Sequence, residues 1–138
     1  MAILDKSLQL ASGQSNVRAA NTYVSTNVID LGAARGTKII EERGYLQVRV
    51  GSAYTGGTSV EFQLVCADDV AISSNVQILA SSGAIADAAL TANTIVWETA
   101  IPQNIPKRYL AVRAVGVGAH TTGTHDINIA VGVQVGPY

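Results

Sequence analysis

The stretch Asp126-Ile127-Asn128-Ile129-Ala130-Val131-Gly132-Val133-Gln134-Val135 decides the fold class. Ile127, Ile129, Val131, Val133 and Val135 fall on one side of an extended chain, and Asn128, Ala130, Gly132 and Gln134 fall on the other. Successive side chains of a strand point to opposite faces, so this period of two marks a strand buried on one face, as in an antiparallel sheet. Working outward, the same alternation recurs. Val60, Phe62, Leu64 and Cys66 alternate with Glu61, Gln63 and Val65, and Leu46, Val48 and Val50 alternate with Gln47 and Arg49. Leu110, Val112 and Ala114 stand opposite Ala111, Arg113 and Val115 within Tyr109 to Val117. Val28 to Leu31, Val76 to Ala80 and Thr94 to Glu98 add shorter strands, and Ile3 to Leu10 reads either as a further strand or as an arm.

Turn formers separate these runs: Gly51 to Thr58 with Gly56-Gly57, Asp68-Asp69, Pro102 to Pro106, and Gly116 to Gly123. About seven or eight short strands with polar connections predict an all-β chain, a jelly-roll-like antiparallel β-sandwich. Ile85 to Ala92 is Ala-rich enough for one or two helical turns, but Thr91, Asn93 and the flanking Gly83 oppose a stable helix. The 138 residues fit a single domain, residues 1–138, with about 1–12 as an N-terminal arm or edge strand.

Charged residues make up 14% of the chain, against about 25% in an ordinary soluble domain, while hydrophobic residues reach 48%. A surface so poor in charge suits a protein covered by other subunits. The net charge of −1 supplies no electrostatic footprint for nucleic acid. Asp5 stands where a secretory leader needs a basic segment and a long apolar run, so the expectation is a whole chain made in a cytosol. The longest uncharged run, Val70 to Ala86, is interrupted by Ser73, Ser74, Asn75, Gln77, Ser81 and Ser82 and is no membrane span.

Reactive side chains are few. His120 and His125 are separated by Thr121-Thr122-Gly123-Thr124 and read as solvent-exposed loop histidines, since a zinc site needs more ligands than the adjacent Asp126. Asp68-Asp69 reads as a turn whose carboxylate accepts from a nearby backbone N–H. Cys66 shares its face with Phe62 and Leu64 and reads as a small buried hydrophobe. Trp97 fits the core, its rim or an interface. The expectation is a protein that is not an enzyme, with no catalytic residues, no metal and no cofactor.

Several stretches resemble the cement proteins of tailed-bacteriophage capsids, the decoration family typified by the Bordetella phage cement protein. They are Met1-Ala2-Ile3-Leu4-Asp5 with Leu8-Gln9-Leu10, Val24 to Gly32 with Ala33-Ala34-Arg35, Val60 to Val65, Ile78 to Ile85, and Pro106-Lys107-Arg108-Tyr109-Leu110. The patches keep their order along most of the chain; the final third, with His120 and His125, matches least. The resemblance implies a jelly-roll-like sandwich on the outer capsid surface of the virion, made in the bacterial host cytoplasm and bridging neighbouring major capsid proteins. It also implies a homo-oligomer, a dimer in preference to a trimer, with no nucleic acid or membrane partner. Candidate capsid or oligomer contacts are Ile3, Leu4, Leu8 and Leu10, together with Trp97, Arg108 and Tyr138. The alternative is a β-sandwich binding module for carbohydrate or a receptor, associated with a phage tail or fibre. Sugar platforms use several exposed aromatics, and aromatics are only 5% of this chain.

Overall fold

The computed structural model describes residues 3–15, 22–30, 44–102 and 105–131. Two antiparallel sheets pack face to face. One has the order β1-β9-β4-β7, built from Ile3–Ser15, Thr124–Val131, Gly44–Val50 and Ile95–Ala100. The other has the order β2-β8-β5-β6, built from Thr22–Val24, Tyr109–Val117, Ser59–Ala67 and Gln77–Ala86, with β3 (Ile29–Asp30) also pairing β8. β2 and β3 act as one strand interrupted at Ser25, whose hydroxyl accepts from the Val112 amide while its own amide donates to the Val112 carbonyl. With β2 and β3 counted as one strand, the chain crosses between the sheets at every connection except β5 to β6, which is the jelly-roll order the alternation predicted.

The inner faces meet in one core. Leu46, Val48 and Val50 of β4 and Ile127 and Ile129 of β9 face Val60, Phe62, Leu64 and Cys66 of β5 and Leu110, Val112 and Ala114 of β8. Leu90, from the β6–β7 connection, closes this core at one end, and Ile101 and Ile105 are buried in it from the β7–β8 connection. A smaller cluster lies on the outer face of the second sheet, where Ile72 covers Val65, Ala67 and Ala111. To get there Ile72 takes a left-handed φ of 55°, a conformation unfavourable for a β-branched side chain. Asp69 holds it, its carboxylate accepting from the Ser73 and Ser74 amides and the Ser73 hydroxyl. This is the turn role expected of that aspartate.

Two open readings are decided, and one expectation, for the histidines, needs correcting. The Ala-rich stretch continues β6 to Ala86 and then makes only a 3₁₀ turn, Asp87–Ala89. Ile3 to Leu10 is no free arm, because β1 pairs with β9 from Ile3↔Val131 to Ser15↔Thr124 as the edge of its sheet. His120 and His125 are not exposed: their relative accessibilities are 4% and 1%. His125 lies within β9 two places before Ile127, so it continues the inward face that Ile127 and Ile129 define.

Candidate functional site

From Val70 to Trp97 the sequence holds one charged residue, Asp87, and that carboxylate is turned inward. Its Oδ1 lies 2.9 Å from His120 Nε2, and its Oδ2 accepts from the Gly57 amide at 3.1 Å. The stretch supplies β6, the 3₁₀ turn and the first half of β7, the last strands of their respective sheets. Leu79, Ala80 and Ile85 from β6 and Val96 and Trp97 from β7 pack on the same core, so the two strands flank one side of the sandwich. Ile78 is 49% exposed and Ile95 47%. Around them stand Gln77, Ser81, Ala84 and Ala86, all exposed and uncharged.

The opposite side of the sandwich is laced shut. The Asn27 amide donates to the Leu10 carbonyl, and the Gln14 side chain bridges Val24 and Thr26. No such bond joins β6 to β7 among the described residues. An edge strand without charge or proline invites indiscriminate pairing. Here extra residues interrupt both edges. Glu61 and Gln63 face Ala84 and Ser81, so three steps on β6 answer two on β5; a second irregularity lies between Ala80 and Ile78, and a third at Val96 in β7. Such bulges twist the edge and break its ladder.

The charge-free surface continues round one end. Gly51 to Thr58 and Gly116 to Thr124 contain no Asp, Glu, Lys or Arg, and Thr55, Thr58, Thr91, Asn93, Thr121 and Thr122 are exposed there. The other end carries Asp30 held by Arg108 in a two-pronged pair, and Asp68 beside Lys107 at 3.5 Å.

Under the charge-free end lies a cluster of buried rings. Tyr54 Oη and His125 Nδ1 are 2.5 Å apart; the Phe62 ring stands edge-on to His125 at 5.3 Å, and the His120 ring edge-on to Tyr54 at 5.5 Å. Two glycines make room. A Cβ on Gly57 would strike the His120 ring, and one on Gly123 would come within 2.7 Å of the Tyr54 ring. Burial lowers the pKa of His125 to about 4, outweighing the upward pull of Asp126. Burial, and secondarily Asp87, pushes Tyr54 well above the ordinary tyrosine range. At neutral pH both groups are therefore uncharged; in the tautomer that carries its hydrogen on Nε2, the phenol donates to Nδ1. The interactions of these side chains are with one another, an arrangement that fixes loops.

The sequence-predicted contacts do not come together. Ile3, Leu4 and Leu8 lie in β1 at the edge of the first sheet. Leu10 is fully buried in the core, which removes its side chain from any partner. Trp97 is half-buried against the core on the open β7 edge, opposite Val48. Arg108 is exposed at the charged end, its guanidinium on Asp30 and 5.1 Å from the Tyr109 ring centre. Tyr138 lies outside the described residues. Cys66 is buried, and burial pushes its thiol pKa up. No group of His, Cys, Asp and Glu suited to a metal occurs among the described residues. Tyr54 and Asp87 were not singled out from sequence, and Gly57 only as a turn former; the available signal was His125, which continues the alternation of Ile127 and Ile129 by one step.

A family model described as Bbp16 matches residues 10–129. The chain belongs to the Bbp16 family. No curated protein matches it. The Bbp16 match runs from Leu10 in β1 to Ile129 in β9, so β2 to β8, the open β6–β7 side and the ring cluster all lie within the family span, with the first half of β1 and the end of β9 outside it.

Proposed function

We propose that this chain is a structural protein of a bacteriophage head, a cement protein that binds the outer surface of the capsid and bridges neighbouring major capsid proteins. Membership of the Bbp16 family points to a bacteriophage protein. The observation that carries the finer reading is the open side of the sandwich, where β6 and the first half of β7, up to Trp97, bring no outward charge.

The physics of such a role needs no reactive centre. A protein that binds neighbouring capsid subunits only in their assembled arrangement stabilises that arrangement by mass action. Several modest contacts made by one rigid body add through effective concentration. Removal of apolar side chains such as Ile78 and Ile95 from water supplies roughly 25 cal/mol per Å² of buried apolar area. Self-association, as a dimer rather than a trimer, belongs to the same proposal, and light scattering of the purified protein measures it.

The direct test is co-sedimentation with expanded, undecorated shells of the cognate phage. Wild-type protein is expected to pellet with shells and not to bind free capsid protein. Ile78→Glu, which puts a charge at a half-exposed position on β6, is expected to stay folded and to remain in the supernatant. Wild-type protein that ignores shells, or an Ile78→Glu variant that decorates them fully, overturns the proposal.

A further inference from the structure

We infer that the Tyr54–His125 pair is an acid-release pin: a proton taken up by His125 frees the loop end of the sandwich while the two sheets stay paired. The inference rests on the buried geometry and is independent of any role on a capsid.

Tyr54 is the bolt. Its ring projects from the β4–β5 loop and is 2% exposed; its hydroxyl meets His125 Nδ1, and its amide donates to the Leu90 carbonyl of the β6–β7 connection. The third loop joins through Thr55, whose amide donates to the Thr122 carbonyl and whose own carbonyl accepts from the Thr121 amide. Backbone bonds at Tyr54 and Thr55 thus tie the β4–β5, β6–β7 and β8–β9 connections together, and the Tyr54 side chain fastens them to His125 of β9.

His125 is where acid acts. Once both ring nitrogens carry protons the imidazole only donates, so Tyr54 Oη can accept from Nδ1–H but its own hydrogen loses the buried acceptor it had. The new charge would sit at 1% exposure beside the edge-on Phe62 ring, and an unpaired buried charge is strongly disfavoured. Charged groups on the surrounding elements do not neutralise it. On β4, Arg49 pairs in register with Asp126, so both project from the outer face of that sheet. On β5, Glu61 is held on the outer face of the second sheet by Gln63 and Ser81. From the 3₁₀ turn, Asp87 is engaged by His120 and Gly57. Within β9 itself, the Asp126 carboxylate accepts from the Gly13 amide of β1. His120 faces the Asp87 carboxylate, 2.9 Å from its Oδ1.

Burial sets the pH window, since His125 is lowered from 6.5 to about 4. Opening the loops exposes the ring and returns it to its ordinary affinity for protons, so the open form is favoured progressively as pH falls through that interval. The experiment is hydrogen exchange on the whole chain across it, read as protection factors, with His125 followed by NMR. Amides of Tyr54, Thr55 and Thr121 are expected to lose protection on the order of tenfold or more, while those of Val48, Leu64 and Val112 hold. His125→Asn keeps an acceptor near the Nδ1 position but takes up no proton, and its loop protection is expected to stay flat. Tyr54→Phe removes the hydroxyl that fastens the loop to His125, and the acid step is expected at higher pH. Loop and sheet amides lost together, an acid step that survives His125→Asn, or a step unmoved in Tyr54→Phe overturns the inference. Should His125→Asn not fold, the last readout still decides it.

Discussion

Gly57→Ala tests how rigid the ring cluster is. The backbone at Gly57 lies outside the left-handed region, so alanine meets no conformational penalty there. The whole effect comes from where the methyl lands: against Nε2 of His120, 2.5 Å from its Cε1 and 2.7 Å from its Cδ2. That ring is 4% exposed, fixed by Asp87 and set edge-on to Tyr54, so it has no open direction in which to yield. Overpacking a tight site costs about 1–3 kcal/mol. If the ring swings out, the bond to the Asp87 carboxylate goes too, another ~1.5–3 kcal/mol. The smaller entropy of the unfolded alanine chain returns about 0.4–1 kcal/mol. The expected loss is therefore roughly 3–4 kcal/mol, and for a domain of this size a melting temperature lower by roughly 10–20 °C. Urea denaturation with calorimetry measures both. Gly83→Ala is the control, with nothing within 4 Å of the added methyl but a φ of +71°, and it should cost about 1–2 kcal/mol. A Gly57→Ala protein no less stable than Gly83→Ala would refute the reasoning. In a cycle with His120→Ala, the two changes should couple strongly, because the ring is what the methyl strikes.

The remaining expectations follow from the same packing. Tyr54→Phe leaves His125 Nδ1 without its buried donor and should lower stability by about 1–3 kcal/mol in urea titration at neutral pH. His125 has its pKa depressed in the folded chain, so its contribution is fully present above 6.5 and is lost as pH falls to about 4; over that window urea titration should show a loss of about 3 kcal/mol, absent from His125→Asn. Phe62→Ala empties the largest fully buried side chain and should cost about 3–5 kcal/mol by the same titration. Ile78→Glu should melt with a stability within about 0.5 kcal/mol of wild type, since it stands at a half-exposed edge, so that lost shell binding reports on the surface alone.

Strands that keep an uninterrupted ladder were legible from their sequence. Tyr109–Val117 appears with its expected bounds, and Val60, Phe62, Leu64 and Cys66 point inward as their alternation required. Legibility fails where a bulge breaks the period of two. β6 looked finished at Ala80 because the irregularities near Leu79 and Ser82 scramble its alternation, yet pairing with β5 carries it to Ala86. In β7, Val96 and Trp97 both pack on the core, a pattern no simple alternation can display. Leu10 and Ala11 are adjacent and both buried for the same reason, with register shifts on either side of the pair. The ring cluster was illegible for another cause. Tyr54 and His125 are 71 residues apart, and Asp87 and His120 are 33 apart, so only the jelly-roll crossings bring them together. The charge-free run, by contrast, was visible as sequence; what the fold added was that its one carboxylate faces inward and that its strands form both rims of one side.

The pairing of Ile3 with Val131 has a mechanical consequence. These residues sit side by side at the same end of neighbouring antiparallel strands, so tension applied between them loads the β1–β9 ladder one rung at a time. Such a seam peels like a zipper at low force, whereas a pull directed across the broad faces engages every rung of both sheets together. For the head-bracing role proposed above, internal pressure is best borne sideways through the flanks, and a tether fastened to either strand terminus would be the weakest anchorage the molecule offers.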